Sequence, residues 1–299
     1  MLTLKKCKLC PRKCNVDRYN NTGFCGASSQ AKIALVSLHP WEEPCLVGEK
    51  GAGTVFFSHC NLRCVYCQNY EISHGGKGII VTDERLAEIF LEQQARGAAT
   101  LDLVTPTHYV LNIIKALDIA RRQGFNLPVV YNSSAYETIE TIAALNGYVD
   151  IYLPDLKYFS SEASEKYSKA KDYFKVASQA IQKMYEQVGK TVFANDGRMT
   201  RGVLVRHMVL PSYRHDSMQI VKWLWDKFGD NISISLMSQY TPMYKAGDYK
   251  KINRRLTTFE YESVVNYAID LGIKNCFVQE RRAASEEYVP SFDGRGVEK

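Results

Sequence analysis

The fold class predicted is α/β, an open, partial (β/α)6 barrel of the TIM type with a cysteine-rich N-terminal extension. Three observations predict it. From Gly51 onward, short apolar or β-branched runs alternate with amphipathic helical patterns, the order of parallel βα units. Polar and cysteine-bearing segments fall after those runs, at the strand edge where barrel sites are built. Residues 1–50 hold four clustered cysteines and little periodic pattern, so they read as a metal-binding extension ahead of a barrel over 51–299.

In chain order, Thr54 to Ser58 (TVFFS) is a first strand that runs into the loop carrying Cys60, Cys64 and Cys67. Thr82 to Arg96 is a helix: Thr82 and Asp83 are N-cap candidates, Leu86, Ile89, Phe90 and Gln93 share one face, and Gly97 stops it. Thr100 to Thr105 is the second strand, Pro106 to Gly124 the second helix, and Pro128 to Asn132 the third strand. Glu137 to Leu145 is helical, Val149 to Leu153 is strand four, and Glu162 to Val188 is one long helical stretch. Val203 to Leu210 is strand five, Asp216 to Phe228 a helix, and Ile232 to Met237 strand six. Tyr261 to Leu271 and Cys276 to Gln279 add a last helix and short strand, and Asp293 to Lys299 reads as a disordered tail.

Hydrophobic residues at 45% and charged residues at 23% fit a soluble globular chain, and no apolar run approaches the roughly 18 residues a membrane span needs. The opening MLTLKKCKLCPRKC shows neither the apolar core nor the cleavage site of a signal peptide, so a cytoplasmic location is expected. The formal charge of +6 comes from 38 basic and 32 acidic residues without a dense Lys/Arg block, which points to a solvated surface and away from a nucleic-acid partner. Nine cysteines, seven of them in two groups, point to metal ligation in a reducing compartment.

Cys60, Cys64 and Cys67 stand at the spacing CxxxCxxC just past a strand, where a tight turn can aim all three sulfurs at one point. Thiolates select zinc, copper(I) or iron–sulfur clusters, and a four-iron cubane normally takes four cysteines. Three leave one iron open, and a molecule with adjacent amino and carboxylate groups, such as the methionine end of S-adenosylmethionine (SAM), can chelate it. The alternative is a closed zinc site completed by His59 or His74. Cys7, Cys10, Cys14 and Cys25 form a second group punctuated by Pro11, Gly23 and Gly26, a segment that needs a metal to hold its shape. Their spacing accepts either tetrahedral zinc or an auxiliary four-iron cluster. Cys45 and Cys276, outside both groups, read as buried thiols.

CNLRCVYCQN resembles the signature of the radical S-adenosylmethionine superfamily. The frame FFSHCNLRCVYCQNYEIS, with LVTPTHY, YLPDLKY, VLVRHMVLP and SLMSQYTP, is similar to the branch related to pyruvate formate-lyase activating enzyme, over roughly residues 50–290. The resemblance implies a radical SAM core in which Cys60, Cys64 and Cys67 hold a [4Fe-4S] cluster and Tyr66 lies against adenine. It implies SAM contacts at successive strand ends. Thr105 and Thr107 occupy the place of a Gly-Gly-Glu turn that holds the amino group, which is a departure. Asn132, Ser133 and Ser134 offer groups for the carboxylate or ribose, Asp155 and Lys157 match an Asp-x-Lys pair near both, and Gln239 takes the place of a polar cofactor-side residue. Strand alternation sends either Arg206 or His207 inward; Arg206 is expected to face carboxylate or substrate and His207 to be a core histidine. His39, Glu42 and Glu43 in HPWEEP are candidates to overhang the barrel mouth.

The activity implied is reductive cleavage of SAM to a 5′-deoxyadenosyl radical that abstracts a hydrogen atom, with flavodoxin or ferredoxin as reductant. The hydrogen donor is a partner protein if the enzyme is a glycyl-radical activase. The alternatives are a radical enzyme modifying another peptide, a small molecule or RNA, and a non-catalytic zinc or electron-transfer protein.

Overall fold

Parallel strands form where β-branched apolar runs are fenced by helix signals, and four of the helices begin where a Ser or Thr side chain satisfies a free backbone N–H. The computed structural model describes residues 2–279 and 290–298. In chain order the elements are β1 (Ala31–His39), α1 (Pro44–Val47), β2 (Ala52–Phe57), α2 (Tyr70–Ser73), β3 (Ile79–Val81), α3 (Asp83–Ala95), β4 (Leu101–Val104), α4 (Val110–Arg122), β5 (Val129–Ser133), α5 (Ile139–Ala144), β6 (Ile151–Pro154), α6 (Ser161–Ser168), α7 (Tyr173–Val188), β7 (Val192–Phe193), β8 (Met199–Met208), α8 (Arg214–Phe228), β9 (Ser233–Met237), α9 (Thr258–Asp270) and β10 (Cys276–Val278). Thr82 accepts from Arg85 N to start α3, Ser160 from Ala163 N to start α6, and Thr257 forms a reciprocal capping box with Glu260 at α9.

Strands β2, β4, β5, β6, β8, β9 and β10 run parallel in that spatial order, and β1 then β3 continue the sheet antiparallel beyond β2. The sheet does not close, and β10 and β3 are its edges. It is the expected partial barrel. Both faces are buried, as in parallel sheets generally: Val129 and Tyr131 of β5 point into the outer core under the helices, whereas Val130 between them joins an inner cluster with Ile151, Leu153 and Leu204. The long stretch expected as one helix is two, because Lys169 takes a left-handed φ of 53° and ends α6.

The segment read as extension contributes more than cysteines. Its β1 pairs Ile33 with Phe57 and His39 with Ala52, so the connection 40–51 lies at the N-terminal edge of the parallel strands. There Cys45 and Leu46 of α1 enter the lumen and pack on Val130, Ile151, Leu153, Met199 and Leu204. Thr100 donates its Oγ1 hydrogen to the Leu46 carbonyl at 3.1 Å. Fully burying Leu46 contributes about 1.5–3 kcal/mol and stoppers the barrel from below. The tail expected to be disordered lies along β1: Val36 N donates to Arg295 O, and Val297 is buried. Among the described residues no helix is long and apolar enough to cross a membrane.

Candidate active site

A cavity of about 700 Å³ runs through the lumen. Cys60, Cys64 and Cys67 line one part of it, and Asn132, Ser133, Asp155, Lys157, Arg206 and Gln239 line the wall formed by the strand ends. Glu42 and Glu43 reach it from the stopper.

The cysteine loop leaves β2 through His59, whose φ of 76° turns the chain sharply. It is then pinned from three sides: His59 N donates to Ile72 O, Val65 N to Tyr167 O, and Cys67 N to Cys64 O. Each sulfur receives a polar hydrogen or stands beside one. Leu62 N points at Cys60 Sγ at 3.4 Å, Ser168 Oγ at Cys64 Sγ at 3.0 Å, and Ser73 Oγ lies 3.2 Å from Cys67 Sγ. Burial pushes all three thiols up, Cys67 to about 11, so the thiolates need a cation to settle them. Tyr66 is buried beside them, its hydroxyl 2.6 Å from that of Tyr158 and its ring edge-on to Tyr240.

Across the cavity a charged network is centred on Arg206. Its guanidinium donates to Asp155 Oδ1 at 2.9 Å, Glu42 Oε1 at 2.9 Å and Asn132 Oδ1 at 2.6 Å, and Lys157 Nζ donates to Asp155 Oδ2 at 2.6 Å. Burial alone would raise the Asp155 carboxyl, but Arg206 and Lys157 beside it hold it below the usual carboxylate range. Asp102, wholly buried in β4, is driven the other way by burial and by Glu42, and its Oδ1 has no hydrogen-bond partner among the described residues. His207 turns to the helices as expected, with Nδ1 2.7 Å from the Leu156 carbonyl.

Thr105 lines the cavity in a left-handed conformation, φ 59°. Thr107 does not line it: its hydroxyl donates to Glu137 Oε1 at 2.6 Å, under the turn. His39, Glu42 and Glu43 enter from the strands' N-terminal edge, opposite to the mouth they were expected to overhang, because β1 is antiparallel to β2. Asp102 escaped the sequence reading, although an acidic residue between two leucines in an apolar strand was a usable signal. The N-terminal cysteines lie outside the cavity. Among the described residues no three His, Cys, Asp or Glu side chains converge as the ligands of one ion.

Burial pushes the Glu43 carboxyl from 4.5 up to about 7, against the opposing pull of Arg206. Between those two values the folded chain keeps a proton that the unfolded chain has released, so stability falls as pH rises through the window and levels off above it. Glu43→Gln is therefore expected to flatten that slope and to stabilise the protein by about 3 kcal/mol near pH 8, read from urea midpoints across the pH range. An unchanged slope would show that Glu43 titrates normally.

A model of the radical SAM superfamily matches residues 54–224. The chain is similar to the uncharacterized protein MJ0674 of Methanocaldococcus jannaschii, 32% identical over 273 residues that cover 88% of this chain and 74% of that protein. It is also similar to the uncharacterized protein MJ0808 of the same organism, 24% identical over 294 residues that cover 91% and 80%. Among solved structures, SuiB of Streptococcus suis bound to precursor peptide SuiA superposes with a TM-score of 0.50 at 13% identity, over 74% of this chain and 46% of SuiB. The chain thus spans less than half the length of SuiB, and the likeness is one of fold.

Proposed function

The chain belongs to the radical SAM superfamily, and from that premise we propose that it abstracts a hydrogen atom from a polypeptide segment, in the manner of the glycyl-radical activases related to pyruvate formate-lyase activating enzyme. Dependence on SAM and an iron–sulfur cluster comes with the family; the polypeptide donor is the further step. The observation that carries it is the unclosed sheet over a cavity of about 700 Å³: the lining includes His39 of β1 and Phe277 and Val278 of β10, on the two sides of the gap, together with Pro290 of the tail that lies along β1, so a polypeptide entering from the side would meet that tail. SuiB, a protein of this fold, has been solved with a precursor peptide bound.

The residues present fit the groups the family requires. Three sulfurs line the cavity and face hydrogen-bond donors, and the buried Ser134 Oγ, also in the lining, has no partner among the described residues. In this reading Cys60, Cys64 and Cys67 ligate three irons. Tyr66 meets the adenine, Thr105 the amino group, Asn132 and Ser133 the carboxylate or ribose, and Gln239 the sugar side. Thr107 braces the turn through Glu137. Asp155, Lys157 and Arg206 orient the ribose and carboxylate, exchanging their present partners for the ligand. When bound, the reduced cluster supplies the electron that cleaves SAM to methionine and a 5′-deoxyadenosyl radical, which takes the hydrogen atom. Cys45 and Leu46 keep water from entering at the floor. A flavodoxin or ferredoxin as electron source, a second metal at Cys7, Cys10, Cys14 and Cys25, and a cytoplasmic location complete the proposal.

The test is anaerobic reconstitution with iron and sulfide, followed by dithionite and SAM. Release of 5′-deoxyadenosine is expected, and a protein that binds four irons yet releases none sinks the catalytic reading. A glycine-centred radical on a partner protein identifies an activase. The Thr105-Pro106-Thr107 turn, where members of the superfamily usually carry a Gly-Gly-Glu type turn, favours a second reading, a radical enzyme acting on a different peptide, a small molecule or RNA. Turnover without a glycine radical would select it.

A further inference from the structure

Cys7, Cys10, Cys14 and Cys25 lie in a segment with no helix or strand before β1 among the described residues. Cys10 and Cys25 are buried, and Cys7 and Cys14 are partly exposed. Tight turns fix the backbone. Cys7 N donates to Val16 O and Asn15 N to Cys7 O, while Lys13 and Asn15 take left-handed φ values of 44° and 57°. Backbone N–H groups are aimed at sulfur: Phe24 N at Cys14 Sγ, 3.3 Å, and Ala27 N at Cys25 Sγ, 3.5 Å. Leu62 N stands in the same relation to Cys60, and such donors favour the thiolate that metals bind. A side chain at Gly23 would put its Cβ 2.9 Å from Cys14 Sγ, so glycine leaves room for that sulfur.

This module is packed directly on the loop that carries the other three cysteines. Arg12, between Cys10 and Cys14, donates to Asn61 O at 2.9 Å and reaches Ser168 and Lys169 carbonyls; Ser168 in turn donates to Cys64 Sγ. Arg63 returns the contact by donating to Phe24 O at 2.7 Å. Gly26, next to Cys25, packs on His59, next to Cys60: a Cβ built on Gly26 would lie 3.1 Å from His59 Nδ1. Four thiolates accept tetrahedral zinc or a four-iron cluster alike; the direct packing on the loop of Cys60, Cys64 and Cys67 is what favours an electron carrier over a staple.

We propose that Cys7, Cys10, Cys14 and Cys25 hold a redox-active [4Fe-4S] cluster that relays electrons to the cluster at Cys60, Cys64 and Cys67. It accepts one electron from a low-potential one-electron donor and is reoxidised as the neighbouring cluster is reduced, with no proton moving. The proposal rests on the reading of that neighbouring site as a cluster.

Both parts are tested by spectroscopy on the full chain reconstituted with ferrous iron and sulfide. Wild-type protein should hold about eight irons and the triple variant Cys60→Ala/Cys64→Ala/Cys67→Ala about four, with a dithionite-reducible paramagnetic signal that remains in the variant. Zinc, or iron that dithionite does not reduce, in the triple variant overturns the cluster. In fully reduced wild-type protein, two clusters held on segments packed against each other should couple magnetically and broaden the spectrum beyond the sum of the triple variant and Cys10→Ser/Cys25→Ser. A simple sum overturns the relay. Should the double variant lose both clusters, power saturation of the wild-type signal against that of the triple variant reads the same coupling. The two claims fail separately: wild-type protein with four irons that still cleaves SAM refutes the relay alone, and eight irons without 5′-deoxyadenosine refutes the catalytic reading alone.

Discussion

Cys64→Ala is expected to lose the iron bound at its loop and to cut 5′-deoxyadenosine formation by about 10³-fold or more, equivalent to about 4 kcal/mol. Cys64 is the most enclosed of the three by its surroundings: it is 9% exposed, takes a hydrogen from Ser168 Oγ, and is opposed in its buried state by the Lys157 charge, which favours the thiolate. With it gone the loop offers two sulfurs, and the pinning bonds from Val65 N and Cys67 N hold those two where a third is needed. Cys276→Ala, which removes a thiol of β10 outside both groups, is the control and should keep iron and product at wild-type levels. Wild-type product from Cys64→Ala would remove that residue from the iron-binding set.

Arg206→Met should destabilise the fold by about 3–5 kcal/mol at neutral pH, measured by urea denaturation before any cofactor is added. The cost arises from what is left behind: Glu42 and Asp155, whose side chains are 11% and 20% exposed, lose the charge that faces them both. Asp155 is held below its ordinary value in the native protein, so its contribution is present above 3.8 and is lost as pH falls through the native value. The deficit of the variant should accordingly shrink in acid. Adding Glu42→Gln should restore part of the loss at neutral pH, because the double variant has one fewer unpaired carboxylate. Equal midpoints for wild type and Arg206→Met would mean that the network contributes nothing to stability.

Much of this arrangement was legible in the residues. The parallel strands announced themselves because each is an apolar run between amphipathic helical stretches, and TVFFS before the cysteines, LDLV, PVVYN and VDIYL all became strands within a few positions of their expected bounds. The inward turn of Arg206 and outward turn of His207 followed from alternation and from the cost of burying an unpaired cation. Other features depend on long-range pairing that no local pattern encodes. AKIALVSLH carries no alternation and sits beside a cysteine cluster, yet it is the strand that reverses direction and sends HPWEEP to the barrel floor. β3 and β7 have only 3 and 2 residues, too few for a period to show. The break between α6 and α7 falls at a lysine, where a glycine would have marked the left-handed turn.

The stopper formed by Cys45 and Leu46 bears on how far the protein can be pared down. The residues ahead of the first barrel strand are a structural bung, seated among Val130, Ile151, Leu153 and Leu204. Removing residues 1–50 to isolate the catalytic barrel would leave a pipe open at both ends, with a ring of bare aliphatic side chains at its foot and a reactive radical exposed to the solvent beneath.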